Sequence, residues 1–400
     1  MQRNKKHIKA SFFLDLFLKE KSFPPFYKKI TNIFLNTDAY NSNASENFSI
    51  DYLTYTIHDI PNYLKPEFSK STPLKLLEAP LYSGYIIDLA CFKNLEDYLN
   101  NHLGRARKSQ LKRYRKRLDL CIAPNYKIYY GDISKNEYNI LFNRLILITK
   151  RRFAQKEELN FELPFLELYR DIMYPMILNK KASLFVIYHD KKPINITLNF
   201  VDEECIFHWN SSYDIDYQMF NLGHINMVNH LEWAFNNGFK LFDMSRGDFM
   251  HKRKYVNKSY VYNEHIIYNS KSLPASIIAH LKHLKLKLRY SLIKFLKKAN
   301  IHLLYGRYAK YKYRITKSKL KKNIPCIITS NSTPEIPSSE KLKRIDVNNI
   351  EHNFLIKPLN YFIHKNQDNI KNVNVFADLN DTQIFYFEGT KKSQNLIIKN

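Results

Sequence analysis

The sequence predicts an α/β (α+β) chain: a mixed β-sheet flanked by helices, then a basic helical extension and a small β-rich C-terminal piece. Three stretches predict it. "SLFVIYHDKKPINITLNF" (183–200) reads as two apolar strands around an Asp190–Pro193 turn, and "ECIFHWNSS" (204–212) supplies a third strand. "QMFNLGHINMVNHLEWAFNNG" (218–238) reads as loop, helix and glycine stop. Ile225, Val228, Leu231 and Phe235 fall at helical spacing there, and Asn237-Gly238 forms the cap. Leu241-Phe242-Asp243-Met244 follows as a short apolar strand.

The remaining elements fit around this centre. Residues 1–83 mix short apolar pieces with "NTDAYNSNASEN" (36–47), which reads as a loop. Ile86, Ile87 and Leu89 suggest a strand, and "NLEDYLNNHLGRARKSQLKRYRKRL" (94–118) suggests helices broken near Gly104. "NYKIYYG" (125–131) alternates as a strand does, and 135–152 and 162–179 read as helices. "CIITS", "VNVFADL" and "TQIFYFEG", all beyond residue 324, give the C-terminal piece its β character.

Composition sets limits. With 44% hydrophobic and 14% aromatic residues, the 400-residue chain can bury a large core, which excludes a mostly disordered protein. Cys91, Cys121, Cys205 and Cys326 lie far apart without metal-ligand spacing, so neither a disulfide framework nor a zinc site is expected. "SFFLDLFL" (11–18) is interrupted by Asp15 and lacks a cleavage pattern, and no apolar run reaches membrane-spanning length. A cytoplasmic chain is the expectation. The net charge is +26, and two acid-free segments supply 23 of it: eight Lys/Arg in 105–117 and fifteen in 277–322. An anionic partner follows: a nucleotide, a nucleic acid or a membrane surface. Ile277, Leu281, Leu284, Leu288, Leu292 and Phe295 line one face of the second segment. That stripe suits either packing against the main domain, the favoured expectation, or docking on anionic lipid at the inner membrane face.

Two places carry chemistry. The Gln218–His224 junction enters a helix through turn-tolerant residues, and free N–H groups with the helix dipole there form a pyrophosphate cradle. With only eight glycines, no GxGxxG or GxxxxGK[ST] loop exists, which disfavours Rossmann and Walker sites. The second place is Ser245-Arg246-Gly247-Asp248 and the basic run from His251 to Lys254, directly after the apolar strand.

Residues 83–269 resemble the GNAT-type acyltransferases of the CelD/BcsL group, relatives of the FemAB peptidyltransferases. The resemblance rests on four pieces: the Arg/Lys-rich helix, the 183–200 hairpin, Tyr213-Asp214 leading into the cofactor loop, and Asp243, Arg246-Gly247-Asp248 and His251-Lys252. Asn221 stands where the family's cofactor loop has its first glycine while Gly223 keeps the second, and His251 replaces the usual Tyr. The resemblance implies a degenerate N-terminal GNAT-like half (1–130), an acyl-CoA-binding domain (131–272), a basic helical extension (273–323) and a β-rich segment (324–400). Acetyl-CoA or another acyl-CoA would lie on Gln218, Asn221, Leu222, Gly223 and His224. Its acyl group would pass directly to an amine of a sugar nucleotide or envelope-polysaccharide precursor. The alternatives are FemAB-like aminoacyl transfer from tRNA, or a non-catalytic nucleic-acid or membrane-binding protein; nucleic acid ranks below the small-molecule acceptor.

Candidate roles follow. Asp248 and Asp243 are acid/base candidates, Asp243 alternatively forming an ion pair with Arg246 or Lys252. His208 is a base or a satisfied strand histidine. Asp214, Arg246, His251 and Lys252 are acceptor-binding candidates, with Asp214 alternatively capping the next turn. Tyr255 and Tyr260 are phenols that could protonate a leaving thiolate, among 29 tyrosines.

Overall fold

The computed structural model describes residues 2–4, 7–19, 21–42, 53–68, 73–158, 163–247, 250–317, 326–329 and 339–399. The chain divides into two compact units, each assembled from three separate stretches: 1–92, 203–207 and 238–306, and 93–202, 208–237 and 307–400.

The first unit is built on a mixed sheet. Its strands run in the order Gln2–Asn4, His7–Ser11, Thr54–Pro61, Lys258–Asn269, Leu74–Asp88, Leu241–Arg246 and the first residues of Cys205–Tyr213. Most neighbours are antiparallel; His7–Ser11 runs parallel to Thr54–Pro61, and Cys205–Phe207 parallel to Leu241–Asp243. The long central pair, Lys258–Asn269 with Leu74–Asp88, stays in register from Lys258↔Ile86 to Asn269↔Leu74 apart from one bulge. Lys258–Asn269 pairs along both edges, and its burial is nearly continuous on both faces, so polar/apolar alternation is weak there. Beside this sheet, Thr37–Asn41, Tyr27–Asn32 and Leu64–Phe68 form a three-stranded sheet. Thr37–Asn41 is thus a strand where a loop was expected, its Asp38 ion-paired to Lys29 across the sheet at 2.9 Å.

Helix Leu273–Lys298 also belongs to this unit. The Ser272 side chain accepts a hydrogen bond from Ala275 N, and Pro274 occupies the first turn, where its missing N–H costs nothing. Small Ala275 and Ala279 let the helix approach Ile266 and Tyr268 closely. Lys282 reaches Glu264 at 2.7 Å and the Thr56 hydroxyl at 2.8 Å. The expected packing of the Leu281–Leu292 stripe against the domain is overturned. The helix docks by its alanine face, and Leu281, Leu284, Leu288 and Leu292 are each more than half exposed.

The second unit carries the strand order Asn125–Tyr129, Ala182–His189, Lys192–Asp202 and the remainder of Cys205–Tyr213. The predicted hairpin is present, its turn made by Asp190 in a left-handed conformation. Helices Arg105–Ile122, Lys135–Lys156, Leu163–Leu178 and Leu222–Asn236 accompany it. The C-terminal piece forms a five-stranded antiparallel sheet and helix Ile356–Asn366. One core joins this piece to the predicted cofactor loop: Tyr217, Phe220, Leu222 and Ile225 pack among Leu359, Phe362 and Ile363. Polar ties add to it, from Gln218 Nε2 to the Tyr361 hydroxyl at 2.7 Å and from Asn360 Nδ2 to Asp216 O at 2.9 Å.

Phe362 is 2% exposed within that core. Phe362→Ala is expected to cost about 3–5 kcal/mol through lost burial and the cavity left behind. Urea unfolding that shows no shift in midpoint would separate the C-terminal piece from the core of this unit.

Candidate functional site

The strand Leu241–Arg246 carries Asp243 into the interior of the first unit, where its side chain is wholly buried. A buried carboxylate needs donors. Tyr63 supplies one hydroxyl at 2.7 Å, Tyr260 a second at 2.7–2.8 Å, and the Ser245 backbone N–H a third at 2.6 Å. The Tyr260 hydroxyl also lies 2.7 Å from that of Tyr262. These hydroxyls stand where an ion pair with Arg246 or Lys252 was expected. Lys252 instead donates to the carbonyls of Met244 and Arg246, at 2.6 and 2.7 Å. Burial pushes the Asp243 carboxyl up to about 6, against the lowering effect of its three donors and of the Lys252 charge. It is a weak acid poised near neutrality, a strength suited to proton exchange.

Gly84 makes this arrangement fit. It sits directly opposite Tyr260 in the sheet, and a Cβ at Gly84 would lie 2.2 Å from the tyrosine ring. The Tyr260 ring therefore crosses the glycine and delivers its hydroxyl to Asp243. Beyond Asp243 the strand turns sharply: Ser245 adopts φ 58 and Gly247 φ 106, both left-handed, and for serine that is a strained conformation.

Arg246 leaves the strand end half-exposed and meets Asp59 at 3.7 Å and the Tyr82 hydroxyl at 3.4 Å. Tyr82 also donates to Asp59, and His58 pairs with Asp59 at 3.1 Å and with Glu264 at 2.9 Å. Burial raises the Asp59 pKa; the hydrogen bond to Glu264 raises that of His58. Asp248 lies outside the described residues. His251 falls within the short helix Met250–Arg253, its side chain likewise outside them.

The second unit holds the predicted cofactor loop. Asp214, fully buried at the end of Cys205–Tyr213, is ringed by Arg144, Arg151 at 2.7 Å and Lys192 at 3.6 Å. Burial alone would raise its pKa, but these three cations overcome that and hold it below the usual carboxylate range. Asp214 also accepts from Asp216 N at 3.2 Å and so starts the 3-10 turn Ile215–Phe220, while Arg151 grips Asp216 with a two-pronged contact. The capping role foreseen for Asp214 is present, joined to the ion cluster. The turn ends at Asn221, left-handed at φ 58, and helix Leu222–Asn236 starts without a side-chain cap. Asn221 N and His224 N already donate to the Gln218 and Asn221 carbonyls, at 3.3 and 2.9 Å, which leaves the Leu222 and Gly223 amides as the donors at this start. Gly223 is exposed, and a Cβ there would meet nothing within 4 Å. The protein itself makes no demand for glycine at this point. His224 lies beside Arg107, Nδ1 to Nη2 at 3.2 Å, and stacks on Tyr114. The set fits an anionic group such as a pyrophosphate: open backbone, free amides, a helix N-terminus and a cation.

His208 lies in the strand with its ring 5.5 Å from that of His230, which stacks on Phe185 at 3.6 Å. Burial drives His230 down to about 3, so it is neutral at physiological pH. A cavity of about 260 Å³ opens in the same unit between Arg115, Tyr126, Phe185, Asn229 and Trp233, and none of the residues proposed from sequence lines it. Among the described residues, no cluster of three or more His, Cys, Asp or Glu is placed to hold a metal, and no helix is long and apolar enough to cross a membrane. Sequence reasoning missed Tyr63, Gly84, Tyr82 and Asp59. Their only sequence signal was a glycine in a glycine-poor chain.

Residues 105–253 match the family model described as acetyltransferase (GNAT) domain. No curated protein matches the chain. Similar solved structures include L-PGS from Bacillus licheniformis, at 13% identity over 57% of this chain and 72% of that one, with a TM-score of 0.35. FemX aligns at 12% identity over 57% and 75%, TM-score 0.38. A tandem GNAT protein from the clavulanic acid biosynthesis pathway aligns at 11% over 54% and 64%, TM-score 0.30. These scores are too low to transfer any activity to this chain.

The raised Asp243 pKa has a thermodynamic signature. The folded protein holds a proton that the unfolded chain has released between about pH 4 and pH 6. The associated stabilisation is complete below about pH 4 and lost as pH rises through about 6, some 3 kcal/mol in all. Asp243→Asn cannot titrate. From pH 4 to pH 7 the variant is expected to gain about 2 kcal/mol relative to wild type, read from urea unfolding at both pH values. Parallel pH profiles would show that Asp243 ionises with an ordinary pKa.

Proposed function

We propose that the chain is a cytoplasmic N-acyltransferase of the CelD/BcsL kind. It would move an acyl group, acetyl first, from acyl-CoA to an amine of a sugar nucleotide or envelope-polysaccharide precursor. The observation that carries this reading is the open start of helix Leu222–Asn236: uncapped, entered through left-handed Asn221, bare at Gly223 and flanked by Arg107. The GNAT domain match over 105–253 includes that start. The Leu222 and Gly223 amides and the Arg107 guanidinium would hold the CoA pyrophosphate, and Asp214 and Asp216, fixed by Arg144 and Arg151, would keep the preceding turn in place. Bound acyl-CoA supplies a thioester whose C–S bond breaks as the amine forms its C–N bond. The amine must shed a proton and the thiolate leaves. Asp243, Asp248 and His208 remain the candidates for proton exchange. Arg246, His251 and Lys252 remain the candidates for acceptor contact, while Asp214, fully buried among its three cations, keeps the structural part just given.

A second reading has its own support. Arg105, Lys112, Arg113 and Lys116 are exposed on helix Arg105–Ile122, a cationic face that suits the donor tRNA of aminoacyl transfer.

Saturating CoA or acetyl-CoA is expected to raise the melting temperature, by about 2.7 kcal/mol of stabilisation at a hundredfold excess over Kd. Gly223→Val should remove the shift while the protein stays folded, since the space around Gly223 is open. Arg107→Ala should weaken CoA binding roughly tenfold, in line with one lost charge-assisted hydrogen bond. Absence of any CoA shift, together with tRNA binding that falls steeply with salt, would move the assignment to aminoacyl transfer.

A further inference from the structure

We infer that helix Leu273–Lys298 is a membrane-surface anchor that lays its leucine face on an anionic lipid bilayer. The helix is tied down on one side only. Ala275 and Ala279 are fully buried against Ile266 and Tyr268, and Lys282 is held by Glu264 and Thr56. At about 100° per residue, the opposite side gathers Ile277, Leu281, Leu284, Leu288, Leu292 and Phe295 into one stripe. All six are more than half exposed. The helix is 26 residues long, so at ~1.5 Å per residue the stripe extends along most of about 39 Å. Exposed apolar surface this continuous is unusual on a soluble face and marks an interaction site.

Charge selects the partner. On the same helical wheel, exposed Lys285 and Arg289 border the stripe on one side, and exposed Lys287 and Lys294 border it on the other. The helix contains no Asp or Glu. An anionic bilayer satisfies both features at once: leucines enter the boundary between headgroups and acyl chains while the lysines and arginine stay at the phosphates. Nucleic acid would use the cations and leave the leucines in water. A second copy of the helix would bring two acid-free basic faces together, and like charges at the edges of such a seam oppose pairing. The geometry is that of a helix lying in the plane of the surface; it is long enough to span, but the basic residues spread along it do not fit a span. This anchoring is independent of the chemistry proposed above.

The full chain is floated with vesicles of equal parts phosphatidylglycerol and phosphatidylcholine, and with vesicles of phosphatidylcholine alone. Wild type is expected to float with the anionic vesicles, to stay down with the neutral ones, and to release as salt rises. The variant Leu281→Ser/Leu284→Ser/Leu288→Ser is expected to lose at least roughly 100-fold in partitioning with an unchanged melting temperature, because those side chains are already exposed. Lys285→Glu/Lys287→Glu/Arg289→Glu is expected to lose a comparable factor, at about fivefold or more per cation. Wild type that ignores phosphatidylglycerol vesicles overturns the proposal, as does a serine variant that floats like wild type. A wild-type dimer converted to monomer by the serine substitutions would assign the stripe to a second copy. RNA binding undiminished in the serine variant, without vesicle binding by wild type, would assign the basic residues to nucleic acid.

Discussion

A carboxylate with no access to water is the constraint around which the first unit is organised. Asp243 is fully buried, and an unpaired charge there would cost several kcal/mol. The cost is met by hydroxyls drawn from distant parts of the chain. Tyr63 comes from 180 residues away, and Tyr260 reaches in across the sheet. That reach in turn requires Gly84, because any side chain there would occupy the space of the tyrosine ring. The third donor, Ser245 N, is available only because the chain turns left-handed straight after the strand. One buried group thus fixes a glycine, two tyrosines and the direction in which the Arg246–Gly247 segment leaves the sheet.

Asp214 poses the same problem in the second unit and solves it with charge. Two arginines and a lysine surround it, and its pKa moves down where that of Asp243 moves up. The local geometry is nevertheless shared. Each aspartate accepts a hydrogen bond from the backbone N–H two residues on, Asp216 in one case and Ser245 in the other. This side-chain-to-backbone turn ends a strand and starts a loop at a fixed angle. Protonation of Asp243 is a small step at mildly acid pH, whereas three cations keep Asp214 ionised far below it. The two loops therefore answer acid with opposite sign: a proton on Asp243 adds stability to the fold, whereas a proton on Asp214 would cost it an ion cluster.

Much of the central architecture was legible because it is local. The hairpin needs only Asp190 and its apolar flanks, and helix Leu222–Asn236 is marked by its own periodicity and by the Asn237-Gly238 stop. The loop at Asn221 was legible for the same reason, and its unfilled cap is what the sequence implied. Lys258–Asn269 was not recognised as a strand, since burial on both faces erases alternation, and the full length of Leu74–Asp88 is set by that partner. Tyr63 and Gly84 carry no motif; they matter only once the sheet puts them next to Asp243 and Tyr260. The leucine stripe misled for a different reason. Periodicity shows that a helix has an apolar face, but two alanines one turn apart also form a packing face, and here the alanines took the domain.

The interleaving of the two units governs how the molecule must be made. Leu74–Asp88 leaves the ribosome well before Lys258–Asn269, the strand that pairs along nearly its whole length. At ~5–20 residues per second, the earlier strand waits on the order of 10–40 s with both edges unpaired. Pairings between segments this remote are also slow to form once both exist. Through that interval the nascent chain carries long β-prone segments with nothing to add to, the condition in which strands join a neighbouring polypeptide. Slower, cooler synthesis therefore lengthens the exposure it is meant to relieve.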